Sequence, residues 1–116
     1  MTLYSTGAEY PYKIRYKGVE TPVQARSRRL FFDTEINDLT SSDLRFLLGQ
    51  KIVTQQLLSK VESLLRADLF CEADYYEGDL LGVYIETKVA YPDFAYDKAL
   101  AEEINTNSDK IRKMDI

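Results

Sequence analysis

The sequence predicts a mainly α, single-domain fold: a small bundle of about four helices behind an extended or short-strand N-terminal arm. Three observations carry this. Apolar residues recur at spacings of three and four along the middle of the chain, the period of an α-helix with one buried face. Capping chemistry stands where the first such stripe begins. At 116 residues with 45% hydrophobic side chains, the chain can fill one core and not two. The expected organisation is one domain over residues 1–116, with an arm at 1–37, a helical core at 38–107 and a frayed tail at 108–116.

The arm reads differently from the rest. Tyr4, Tyr10, Tyr12 and Tyr16 crowd it, with Pro11 and Pro22. Tyr12-Lys13-Ile14-Arg15-Tyr16 alternates with period two before the turn pair Lys17-Gly18, a pattern for a short strand or an extended segment. Residues 24–32 can form a helical turn or run extended, anchored by Leu30, Phe31 and Phe32. Arg26, Arg28 and Arg29 look in isolation like a nucleic-acid patch. Beside an acidic domain they read better as internal ion-pair partners.

Helical signals begin at Leu39. Thr40 is the expected N-cap, and Asp43 three residues on makes a capping box with Asp in place of Glu. Leu44, Leu47 and Leu48 form one stripe, and Gly49 is expected to end this helix, residues 41–49, in the left-handed conformation. A second helix follows Lys51-Ile52-Val53 and runs to about Arg66. Its inner positions are Leu57, Leu58, Val61, Leu64 and Leu65, and its outer face holds Gln55, Gln56, Lys60, Glu62 and Ser63. Residues 79–89 fit both a helix and a strand, with Asp79 as a helix cap tipping the reading toward helix. Pro92-Asp93 opens the last helix, with Phe94, Tyr96, Leu100 and Ile104 facing in.

The chain has no histidine and one cysteine, Cys71. Zinc, haem and histidine-based catalysis therefore lose their usual ligands and proton carriers. The five glycines match no phosphate-binding loop. We expect no catalytic residue, no metal and no cofactor. Asp74, Glu77 and Asp79 could pass for an acid/base set, yet a scaffold role suits them better, with Tyr75 and Tyr76 divided between core and surface. Arg45 is a candidate internal partner for one of these acids. No run is apolar enough to span a membrane, and the first twelve residues do not read as a signal peptide. The expected location is the cytoplasm, where a lone thiol is at home.

Charge is uneven. Residues 1–37 carry six Lys/Arg against four Asp/Glu, a net of +2, while residues 67–104 carry ten Asp/Glu against two Lys, a net of −8. Such a surface repels nucleic-acid phosphates and attracts basic proteins. Direct nucleic-acid binding is not expected.

Two segments carry a family resemblance. Leu39-Thr40-Ser41-Ser42-Asp43-Leu44-Arg45-Phe46-Leu47-Leu48-Gly49-Gln50 reads as L-T-x-x-D-L-R-x-L-L-G-Q. Glu72-Ala73-Asp74-Tyr75-Tyr76-Glu77-Gly78-Asp79-Leu80-Leu81 reads as E-G-D-Y-Y-P-G-D-L-L, with Ala73 and Glu77 standing where the pattern has glycine and proline. In this order and spacing the pair resembles one family of immunity proteins of bacterial contact-dependent growth inhibition (CDI) systems, over about residues 38–85. The resemblance implies a non-enzymatic protein that binds and neutralises a cognate CDI toxin C-terminal domain. Such toxins are frequently nucleases, including RNases that attack tRNA, and a basic nuclease of that kind is the partner expected here. Exposed acids and tyrosines would then meet the partner, the candidates being Glu72, Asp74, Tyr76, Glu77, Glu86, Asp93, Asp97, Glu102 and Glu103. The alternative is a helical adaptor or regulatory subunit that docks on another basic protein.

Overall fold

Helix-forming signals dominate the architecture. The computed structural model describes residues 1–10 and 20–114, and among these there are six α-helices: α1 (Pro22–Arg28), α2 (Ser41–Gly49), α3 (Gln55–Ala67), α4 (Asp79–Ala90), α5 (Lys98–Thr106) and α6 (Ser108–Lys113). The described residues contain no named strand, only isolated antiparallel bridges between Thr2 and Glu35 and between Glu72 and Glu77. The fold is mainly α, as the periodicities predict. The short strand proposed at residues 12–16 lies outside the described residues.

The arm is more helical than an extended reading allows. Thr21 caps α1 with a full capping box: its hydroxyl accepts from the Gln24 N–H (3.2 Å), and the Gln24 side chain accepts from the Thr21 N–H (3.0 Å). Pro22 occupies the first turn, where its missing N–H costs nothing. A π-helical turn over Arg29–Asp33 follows, and both Leu30 and Phe31 lie buried in it. Phe32 packs among Phe31, Tyr4 and Tyr10, with ring centroids 4.9–5.1 Å apart. The arginines act as internal partners in two cases of three: Arg26 pairs with Asp43 and lies over the Phe46 ring, and Arg28 pairs with Glu20. Arg29 is exposed.

The core gathers Leu44, Leu47 and Leu48 of α2, Leu57, Leu58, Val61 and Leu65 of α3, and Leu80, Leu81 and Tyr84 of α4, with Leu3, Leu30 and Phe31 from the N-terminal part and Leu100 from α5. α4 packs chiefly on α2, and α3 lies against α2, α4 and α5. The helical reading of residues 79–89 is the one realised. Ser108–Lys113, expected to fray, forms α6 and buries Ile111.

Thr40 and Asp43 form the expected capping box. The helix end departs from expectation. Gly49 is the last helical residue, and the left-handed position belongs to Lys51 (φ 61°). The Lys51 N–H donates to Leu48 O and the Ile52 N–H to Leu47 O, both at 3.0 Å, which is a Schellman end with lysine where glycine is usual. Ile52 is thereby turned into the core.

Two further corrections concern α3 and α5. Glu62, read as an outer position, is buried. Its carboxylate accepts from the Tyr84 hydroxyl and from the Asp97 N–H, each at 2.7 Å, so one side chain joins α3 to α4 and to the start of α5. Burial and this carboxylate hold the Tyr84 phenol far above its ordinary range. The helix expected to open at Pro92 begins instead at Lys98, as α5, because Asp97 caps it by accepting from the Leu100 N–H (2.9 Å). Residues 91–97 are kept non-helical by Gln55, whose amide donates to Ala95 O (2.8 Å) and accepts from the Ala95 N–H (2.9 Å).

Glu62→Ala leaves a buried hydroxyl and a partly buried amide unpaired, and should lower stability by about 3 kcal/mol, read from urea midpoints at unchanged slope. Lys51→Gly relieves a left-handed strain of about 1–2 kcal/mol, offset by about 0.5–1 kcal/mol of glycine entropy. The same melts should show a gain of roughly 0.5–1 kcal/mol.

Candidate functional site

The segment between α3 and α4 is built around one side chain. Asp79 opens α4, and its carboxylate is fully buried. A local reading makes Asp79 the cap of its own helix. Instead Gly78 occupies the N-cap position, in the left-handed conformation at φ 86°, with no side-chain cap bond. The Asp79 carboxylate turns back toward the preceding loop. It accepts from the Ala73 N–H at Oδ1 (2.7 Å) and from the Asp74 and Tyr75 N–H groups at Oδ2 (both 2.9 Å). The Gly78 N–H donates to Phe70 O (3.1 Å) and Cys71 O (3.3 Å), which closes the loop at its base.

Arg45 completes this arrangement from α2. Its Nε stands 3.5 Å from Asp79 Oδ2, an ion-pair contact without hydrogen-bond alignment. Its guanidinium carbon lies 4.6 Å from the centroid of the Tyr75 ring. The internal Arg–acid pair expected from the sequence therefore exists, and Asp79 is the acid.

Electrostatics follow from the geometry. Burial pushes the Asp79 carboxyl up, but the N–H groups of Tyr75, Ala73 and Asp74 and the charge of Arg45 outweigh it, leaving a net depression. Both Asp79 oxygens are thus occupied by backbone donors. Burial, Asp68 and Asp79 push the half-buried Cys71 thiol up, which suppresses the nucleophilic thiolate. Among the described residues no group of three His, Cys, Asp or Glu side chains could hold a metal ion. No helix of these residues is long and apolar enough to cross a membrane.

With the amides of Ala73, Asp74 and Tyr75 turned inward, the loop's side chains other than Ala73 point out. Glu72, Asp74, Tyr76 and Glu77 are all exposed, and so is Tyr75 at 67%. The expected division of the two tyrosines between core and surface is not observed. The Glu72–Glu77 bridge brings two of the acids directly opposite one another. Glu86 on α4, Asp93 in the 91–97 turn, and Glu102 and Glu103 on α5 are exposed on other elements. Asp97 stands apart. It is half-buried, caps α5 and pairs with Arg66, so its charge is already answered within the chain. None of the ion pairs among the described residues involves Glu72, Asp74, Glu77, Glu86, Asp93, Glu102 or Glu103.

Sequence reasoning passed over Tyr75 as a surface residue and Asp79 as the loop's anchor. The Tyr-Tyr pair in a stretch rich in acids was the available signal for the first. No local pattern signals the second, because an aspartate before two leucines looks like any helix start.

A family model described as CDI immunity proteins matches residues 13–104. No curated protein and no solved structure matches the chain.

The depressed Asp79 carboxyl makes a pH prediction. A group whose folded pKa lies below its unfolded value contributes stability above the ordinary carboxylate range and loses it as pH falls through the folded value. Asp79→Asn should cost on the order of 2 kcal/mol at pH 7. Its stability should then fall less steeply than that of the wild type between about pH 5 and pH 2, as followed by circular dichroism in urea.

Proposed function

This chain belongs to the family of CDI immunity proteins, and on that premise we propose that it neutralises its toxin through the exposed acidic loop of residues 72–77. The observation that carries this reading is the loop's composition and state. Three carboxylates, Glu72, Asp74 and Glu77, and two tyrosines stand exposed on a backbone that is already tied down. Like charges opposite one another across a bridge repel, and Glu72 and Glu77 are so placed. A lysine or arginine from a partner relieves that repulsion. Exposed tyrosines add the large, few-rotor contact area typical of interface anchors.

The partner chemistry follows from charge. A segment of net −8 fits a cationic surface, and a nuclease must present one to hold a phosphate backbone. The toxin domain proposed here is thus a basic RNase or tRNase, covered at its substrate surface by this chain. Opposite potentials speed encounter and fix orientation. Neutralisation by occlusion requires no chemistry from the inhibitor, and the buried Asp79 and suppressed Cys71 thiol accord with a chain that performs none. The site of action is the cytoplasm, where the toxin's RNA substrate lies. Glu86, Asp93, Glu102 and Glu103 extend the negative field, and Asp97 is assigned to the scaffold.

The test pairs the chain with the C-terminal domain of its cognate CDI toxin. Stoichiometric addition should abolish cleavage of RNA by that domain. The double change Glu72→Lys with Glu77→Lys should slow association by about tenfold or more at low salt, with the difference shrinking as salt rises. Unchanged association and unchanged salt dependence would move the interface elsewhere, and absence of binding by the wild type would defeat the reading.

A further inference from the structure

Loop 72–77 lacks a helix or sheet of its own, yet three consecutive N–H groups of its backbone are taken by one carboxylate. We infer that Arg45 and Asp79 are positioning residues, which hold this loop in its toxin-binding conformation before the toxin arrives. The loop's order rests on geometry alone. The identity of the partner rests on the function proposed above.

Three separate ties fix the loop. The Asp79 carboxylate takes the N–H groups of Ala73, Asp74 and Tyr75, three consecutive residues, at 2.7–2.9 Å. Gly78 fastens the base of the loop to Phe70 and Cys71. Arg45 bridges anchor and display: the same guanidinium neighbours the buried carboxylate and lies against the Tyr75 ring, which is otherwise 67% exposed. An exposed ring without such a cation would sample several rotamers. With it, one orientation is favoured.

None of these ties uses the side chains of Glu72, Asp74, Tyr76 or Glu77. They remain available to a partner while the backbone beneath them is fixed. Association with a preordered loop loses less conformational freedom than association with a mobile one, which raises affinity without any added contact. Arg45 comes from α2, the helix capped by Thr40 and Asp43 and packed on α4. The loop's conformation is thereby tied to the rigid part of the bundle. Lysine cannot replace arginine here in full, because it lacks the planar group that stacks on tyrosine while facing a carboxylate.

The experiment combines amide hydrogen exchange on the free chain with binding kinetics against the cognate CDI toxin domain. Wild type, Arg45→Gln, Arg45→Lys and Glu72→Gln are compared. Arg45→Gln should speed exchange at the amides of residues 73–75 by about tenfold or more while the amides of α3 stay protected, and toxin affinity should fall by about tenfold. Arg45→Lys should restore part of both, and it carries the comparison if Arg45→Gln does not fold. Glu72→Gln should weaken binding with loop exchange unchanged, separating a contact from a positioning role. Unchanged exchange at residues 73–75 in both Arg45 variants overturns the inference, and so does faster exchange with undiminished toxin affinity. If the wild type does not bind the toxin domain, the functional reading fails on that result, while the exchange experiment still decides whether Arg45 holds the loop.

Discussion

The arrangement of this protein turns on a buried carboxylate that has found enough donors. An ionised aspartate removed from water is costly by several kcal/mol unless hydrogen bonds and opposite charge replace its hydration. Asp79 receives three backbone N–H groups and a neighbouring guanidinium. The amides of Ala73, Asp74 and Tyr75 turn toward the carboxylate, and the carboxylate would be stranded without them. Satisfying it forces the backbone inward and the side chains outward, so a packing constraint decides what the surface displays.

Glu62 solves the same problem elsewhere in the bundle. It stands on the strongest amphipathic helix of the chain, at a position that periodicity places outside, and it is nevertheless buried with a phenol and a backbone amide as partners. Both buried acids connect elements distant in sequence: Glu62 reaches residues 22 and 35 positions away, and Arg45 reaches Asp79 from α2. Apolar burial brings the helices together, and these directed bonds fix how α4, α5 and the 72–77 loop sit on them.

What the sequence revealed follows the range of each interaction. The capping box at Thr40 and Asp43 spans three residues and was legible, as was the leucine stripe of α3, because both are written in neighbouring positions. The box at Thr21 and Gln24 was equally local, marked by threonine before proline and glutamine three residues on, and its neglect left residues 20–37 described as an arm. Gly49 was misread because a glycine at a helix end suggests the left-handed position, whereas the register of the Leu47 and Leu48 carbonyls assigns it to Lys51. The start of α5 was misplaced because Gln55, some forty residues earlier, holds Ala95 out of helix. The negative bias of the C-terminal half was plain from composition. Which acids stand free and which are spent inside was not: Asp97 and Asp79 are bound up by partners that only the folded chain brings near.

Separating the loop's anchor from its display has a physical consequence for recognition. Glu72, Asp74, Tyr76 and Glu77 carry no side-chain contact on which the loop's backbone depends, whereas Asp79, Gly78 and Arg45 carry several. Exposed side chains without structural partners change stability by only a few tenths of a kcal/mol when replaced. Their replacement can still alter partner choice by much more, since a mismatched or like charge across an interface costs several kcal/mol. A chain built this way can change which surface it fits while the loop itself keeps its shape. The physical demand on the scaffold is then narrow: an aspartate at the start of α4, a residue before it that tolerates the left-handed conformation, and a planar cation from α2 that reaches the aspartate and the loop's Tyr75 ring.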